Sequence, residues 1–201
     1  MQYKTIIFDF GGVILNIDYE LTAKALDAIS NRVGSTNFSQ NEQDDFFDKF
    51  ERGEISSLDF RSKLKVYLNT DISDDVLDSI WNKMLLDLPQ KRIEWILRLK
   101  EKYRCVLLSN TNQIHYDAFT ADLEKLYGYK KFSDLFHKTY FSHEIGMRKP
   151  ETRIYNYVLN DLNIQPSELL FIDDTKKNIE AAKKLNWNCI LWQNKELDEL
   201  L

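Results

Sequence analysis

The 201-residue chain is 43% hydrophobic and 29% charged, with six glycines and three prolines, the make-up of an ordinary folded protein and not of a disordered or collagenous one. Its formal net charge of −5 argues against non-specific nucleic-acid binding, which needs a surplus of cations. No apolar run reaches the length of a membrane span, and Asp9 cuts the first one too short for a signal peptide. A cytoplasmic protein with no nucleic-acid or membrane partner is expected, as a monomer or homodimer. Cys105 and Cys189 lie in apolar runs and read as a reduced, buried pair.

The first apolar run, Thr5–Phe8, reads as a buried strand and ends in Asp9-Phe10-Gly11-Gly12. Four helical patterns follow with no strand between them. They carry Leu26, Ile29 and Val33; then Phe46, Phe47 and Phe50; then Phe60, Leu64, Tyr67 and Leu68; then Leu77, Ile80, Trp81, Met84 and Leu85. These are i, i+3, i+4 spacings. Ser39 with Glu42 spells a capping box, Ser73 precedes an acidic first turn, and Gly53 stops the second helix. The aromatic residues of this region, Phe46, Phe47, Phe50, Phe60 and Trp81, read as core first and substrate pocket second.

After Pro89 the pattern alternates. A helix with Ile93, Ile96 and Leu97 leads to a strand at 105–108 (CVLL), and a weaker strand is read at 138–142 (KTYFS). A helix with Ile154, Val158 and Leu162 leads to 169–172 (LLFI), and one with Ile179, Ala182 and Leu185 leads to 189–192 (CILW). Continuous apolar strands alternating with helices mark a parallel sheet covered on both faces. The expected fold is α/β, a Rossmann-like doubly wound parallel sheet formed by residues 1–16 and 88–201. A four-helix cap subdomain, residues 17–87, is inserted after the first strand.

Ligands of such a sheet bind beyond the carboxyl ends of its strands. Those ends carry Asp9, then Ser109-Asn110, then Asp173-Asp174. Taken singly, each reads as a turn or a helix cap. Together, two carboxylates from different strands with a backbone oxygen suit a hard cation such as Mg2+. A nearby cation lets an aspartate attack a phosphate that would otherwise repel it. Attack by Asp9 would give an aspartyl-phosphate. Ser109 and Asn110 would hold phosphate oxygens, and Lys149 in Gly146-Met147-Arg148-Lys149-Pro150 would complete the charge balance.

The order and spacing of these residues resemble the haloacid dehalogenase-like hydrolases, in the subfamily with a helical cap after strand one. Asp9 matches the nucleophile motif, Ser109-Asn110 the second, Lys149 the third and FIDDTKKN from Phe171 the fourth. The resemblance implies Mg2+ held by Asp9, the carbonyl of Gly11 and Asp174, with Asp173 and Asn178 supporting from behind. ERGEIS from Glu51, LSNTN from Leu108 and GMRKPE from Gly146 are similar to bacterial phosphatases of α-glucose 1-phosphate. That implies a phosphatase acting on a small phosphorylated molecule such as a sugar phosphate. A haloacid dehalogenase, or a weakly catalytic binder of phosphometabolites, is the alternative. Typical phosphatases of the family carry an acid where Gly11 stands. It protonates the leaving oxygen, a service typically worth roughly 10²–10⁴-fold. Asp18, Glu20 and His115 are the nearest candidates in sequence to replace it.

Overall fold

The computed structural model describes residues 3–31, 38 and 44–193. From β1 (Thr5–Phe8) the chain enters a helical insert made of α1 (Tyr19–Ile29), α2 (Asp45–Glu51), α3 (Ser57–Leu68) and α4 (Asp74–Trp81). It returns through α5 (Gln90–Lys100), β2 (Arg104–Ser109), α6 (Gln113–Tyr127) and β3 (Lys138–Phe141). A short α7 (Ser142–Ile145), α8 (Thr152–Leu162), β4 (Leu169–Asp173), α9 (Lys176–Lys184) and β5 (Asn188–Leu191) complete it.

All strand pairs are parallel, in the order β3-β2-β1-β4-β5. Alternate residues of the strands feed opposite layers, which is why the strands are apolar throughout. Ile6 and Phe8 pack with Trp95 and Ile96 of α5 and with Phe119 and Leu123 of α6. Ile7 packs on the other face with Ile154 and Val158 of α8 and Ile179 of α9. The chain leaves β1 for one half of the sheet and reaches the other through β4, so β1 and β4 flank the switch point where a crevice opens.

The insert has its own apolar cluster, in which Phe47, Phe50, Phe60, Leu64 and Trp81 are buried. Phe50 stacks on Phe60 with ring centroids 4.0 Å apart, and Phe47 on Trp81 at 5.5 Å. Burying each such side chain stabilises the fold by about 1.5–3 kcal/mol, so these rings are core, as expected; Phe46 is only partly buried. Ser73 caps α4 ahead of Asp74 and Asp75, and Gly53 follows α2 with φ +65°. Ser56 and Asp59 form the capping box of α3. The Ser39–Glu42 box and Val33 lie outside the described residues. The insert leaves and returns through paired backbone: Asn16 N–H donates to Asp87 O at 3.0 Å, and Asp18 N–H to Met84 O at 2.9 Å.

Three details differ from the sequence reading. β2 and β4 run on through Ser109 and Asp173, so those residues end strands instead of following them. Pro89 stands one position before α5, at its N-cap. Cys105 is buried but Cys189 is only partly so, because β5 is a sheet edge, and both are free thiols. No helix among the described residues is long and apolar enough to cross a membrane.

Candidate active site

Asp9 leaves β1 still in register, its N–H donating to Ile172 O of β4 at 2.8 Å. Its own Oδ1 accepts from Phe10 N–H at 2.7 Å. The chain then turns at Gly12, where φ is +74°. Glycine is required there twice over: a Cβ would also stand 2.1 Å from Oδ2 of Asp174. This close approach brings the ends of β1 and β4 together. Carboxylate oxygens of Asp9, Asp173 and Asp174 lie within 4.8 Å of one another.

Lys149 enters this cluster from the loop before α8. Its Nζ lies 2.8 Å from Asp9 Oδ1 and 2.7 Å from Asp173 Oδ2, and the residue is 1% exposed. Burial alone would lower the ammonium's pKa, but Asp173 and Asp9 outweigh it and the balance is a raised value. The lysine is charged and fixed. Asp173 is buried behind it and accepts from Asn178 Nδ2 at 3.1 Å on both oxygens and from Thr175 N–H at 2.8 Å.

Asn110, expected to hold phosphate oxygens, lines the main cleft, and its side chain is bonded to the Lys149 backbone. Its Nδ2 donates to Lys149 O and its Oδ1 accepts from Lys149 N–H, both at 2.8 Å. The side chain clamps the lysine's backbone like a strand partner, and so sets where the ammonium goes. Ser109 is 2% exposed and lines a small cavity beneath the insert rather than the main cleft. That cavity, about 40 Å³, is otherwise mostly apolar, with Phe10, Ile17, Trp81 and Met84 in its wall.

The main cleft, about 280 Å³, is lined by Asp9, Gly11, Lys149, Asp174 and Asn178. Tyr19, Glu51, Arg148 and Lys177, none of which the strand-end argument singled out, line it as well. Arg148 Nε donates to Glu51 at 2.7 Å and its NH1 lies 3.0 Å from Asp48, so the residue beside Lys149 is bonded to α2 of the insert. A basic residue next to the motif lysine was the one available signal for this contact.

The three acid–base candidates of the sequence have structural partners. Asp18 is the N-cap of α1, its Oδ1 accepting from Glu20 N–H at 2.9 Å, while Glu20 pairs with Lys24 on the exposed face. The His115 ring stacks on Trp81 at 5.0 Å, and its Nε2 lies 3.2 Å from Trp81 O while Nδ1 lies 3.1 Å from Asn112 Nδ2. A carbonyl only accepts, so Nε2 carries the hydrogen and Nδ1 accepts: a neutral ring with both nitrogens used. None of the three lines the main cleft.

Burial pushes the His115 pKa down to about 4. A depressed base is neutral when folded and charges readily when unfolded, so its stabilising contribution is complete above about pH 6.5 and drains away towards pH 4. The expected loss from this group over that window is roughly 3 kcal/mol. Urea unfolding followed by tryptophan fluorescence at pH 7 and pH 4.5 checks it, with His115→Gln expected to flatten the difference.

The donor set suits a divalent cation. Three carboxylates face one ammonium, and burial, Asp173 and Asp174 together push the Asp9 carboxyl well above the usual range despite Lys149. That surplus of negative charge, on oxygen ligands alone, favours a hard metal.

An acid at the end of the central strand facing a buried lysine, with two further carboxylates alongside, is a site able to take a divalent cation and an anionic substrate. Residues 3–186 match the haloacid dehalogenase-like hydrolases, and the chain belongs to that family. It is 29% identical over 191 residues, 95% of this chain and 92% of the relative, to the D-ribitol-5-phosphate phosphatase of Bacteroides thetaiotaomicron. It is 27% identical, over 90% of its length and 85% of the relative's, to a sesquiterpene phosphatase of Aspergillus oryzae. Among solved structures it resembles a family enzyme of Bacteroides thetaiotaomicron, an aspartate-to-alanine variant in complex with magnesium and inorganic phosphate. The TM-score is 0.91 at 32% identity, covering 98% of each chain.

Proposed function

We propose that the protein is a magnesium-dependent phosphatase acting on a small phosphorylated sugar or polyol through an aspartyl-phosphate on Asp9. The observation that carries the reading is Lys149, buried and bonded at once to Asp9 and Asp173 with Asp174 alongside. Asp9, the carbonyl of Gly11 and Asp174 would hold Mg2+, which when bound neutralises phosphate charge. Asp9 attacks phosphorus. Lys149 balances the charge of the nucleophile and of the incoming phosphate, and Asp173, Asn178 and Asn110 keep that ammonium in place. Residues 17–87 act as a cap that excludes water and meets the alcohol part of the substrate.

Two of the relatives act on very different alcohols, a polyol phosphate and a sesquiterpene phosphate. The walls of this cleft favour the first. Glu51, Arg148, Lys177 and Tyr19 are polar groups on its wall, whereas the more apolar cavity beneath the insert is small, about 40 Å³. A screen of sugar phosphates, polyol phosphates, nucleotides and prenyl phosphates, run with magnesium and with excess chelator, tests the reading. α-Glucose 1-phosphate and D-ribitol 5-phosphate head the panel. Turnover is expected on sugar or polyol phosphates and is expected to vanish in chelator. Persistent activity without metal, or a preference for prenyl phosphates, would overturn it.

A further inference from the structure

Residue 11 has no side chain to assist the leaving oxygen, and the space one would take is already filled. A Cβ built on Gly11 would stand 2.9 Å from Cδ1 of Ile17. The acids nearest the cleft are committed elsewhere: Asp18 caps α1 and Glu51 is held by Arg148. Two residues beyond Ile17 stands Tyr19, the first residue of α1. It lines the main cleft together with Asp9, Gly11, Lys149 and Asp174, and it also lines the cavity beneath the insert, at the junction of the two. Its ring packs against Phe38 with centroids 5.9 Å apart, which restricts where the hydroxyl points. Burial, and then the carboxylates of Glu51, Asp9 and Asp174, push the phenol above its ordinary value. The oxygen therefore keeps its hydrogen at neutral pH.

We propose that Tyr19 is a catalytic residue whose phenol donates a hydrogen bond to the oxygen that leaves phosphorus. The assignment rests on the aspartyl-phosphate chemistry proposed above. As the Asp9 oxygen bonds to phosphorus, the bond from phosphorus to the alcohol oxygen breaks and its electron pair stays on that oxygen. Tyr19 stabilises the charge without giving up its proton. Water protonates the alkoxide, and the hydroxide so formed is consumed when it attacks the aspartyl-phosphate, which restores Asp9 and releases phosphate. A donor aimed at developing charge in a site shielded from water is typically worth about 10²–10³-fold. A partly exposed phenol that shares the task with solvent falls at the low end of that range.

The test is the dependence of kcat/KM on leaving-group pKa, over phosphate monoesters running from acidic phenols to simple alkanols. Tyr19→Phe is expected to lose about 10²-fold on alkyl esters and progressively less as the leaving group becomes more acidic, so the plot steepens. A purely structural role for the ring would lower every ester by one factor, and that result overturns the proposal, as does an undiminished rate on alkyl esters. Gly11→Asp/Ile17→Val, which opens the space beside residue 11 and installs an acid there, gives a second reading. In that background Tyr19→Phe is expected to cost less than in the parent, and an equal cost in both would remove the assignment. A wild-type protein inert to the whole series removes the phosphatase reading and Tyr19 together, whereas an active one with an unaltered slope in Tyr19→Phe removes Tyr19 alone.

Discussion

Asp9→Asn is expected to lower kcat by about four orders of magnitude or more, to the background of the assay, and yet to leave a protein at least as stable as the parent in chelator. Both halves follow from one arrangement. In the proposed mechanism the carboxylate is the nucleophile, and an amide in its place cannot form the acyl-phosphate. The same carboxylate is buried against Asp173 and Asp174, and its raised pKa records that ionising it works against the fold. Two unit charges ~4 Å apart at an effective dielectric of ~20 repel by about 4 kcal/mol. An asparagine keeps an oxygen for Phe10 N–H and removes the repulsion. Phosphate release from the preferred substrate and thermal melts in chelator measure the two effects. Measurable turnover would sink the nucleophile assignment, and a marked fall in melting temperature would sink the electrostatic account.

Lys149→Met carries the opposite sign on stability. Losing the ammonium leaves Asp9 and Asp173, both within hydrogen-bond distance of its Nζ, without their shared counter-charge. Breaking a buried ion pair by removing one partner typically costs about 3–5 kcal/mol. The penalty is expected to be larger in chelator than in magnesium, because a divalent cation takes over part of the neutralisation. Activity is expected to fall as well, since the ammonium that the proposed mechanism sets against the incoming phosphate is gone. Urea unfolding with and without magnesium, beside initial rates, tests this. A variant as stable as the parent in chelator would show that the lysine does not offset the carboxylates. The pair of substitutions thus separates chemistry from stability: both lower turnover, and they move the fold in opposite directions.

Much of the fold was legible because its signals are local. Runs such as Ile6-Ile7-Phe8 and Leu170-Phe171-Ile172 are apolar at every position since both faces of the sheet are covered, and that leaves no competing reading. The insert's helices showed in the spacing of Phe60, Leu64 and Leu68 on one face of α3. α6 shows no single apolar face in the sequence, because Ile114 joins the insert's cluster while Phe119 and Leu123 join the sheet's. At the site, Asp9, Asp173, Asp174 and Lys149 were legible as strand-end and loop residues in a known order. The work of Asn110 on the Lys149 backbone was not, because the two are 39 positions apart. Nor was the bond of Arg148 to Glu51, which spans 97. Such pairs exist only once distant parts of the chain have packed together, and no local spacing announces them.

The bonds from Arg148 to Asp48 and Glu51 have a consequence for anyone who would retarget this cleft. The arginine is the backbone neighbour of Lys149, so the two insert acids that hold it also hold the loop presenting the ammonium to Asp9. The cleft wall and the position of the ammonium therefore depend on the same pair of acids. A library that varies Asp48 or Glu51 in search of a new substrate would loosen the lysine in most of its members, and would be read as a collection of dead enzymes. Diversity placed elsewhere on the cleft wall, at Lys177 for example, leaves the two insert acids themselves in place.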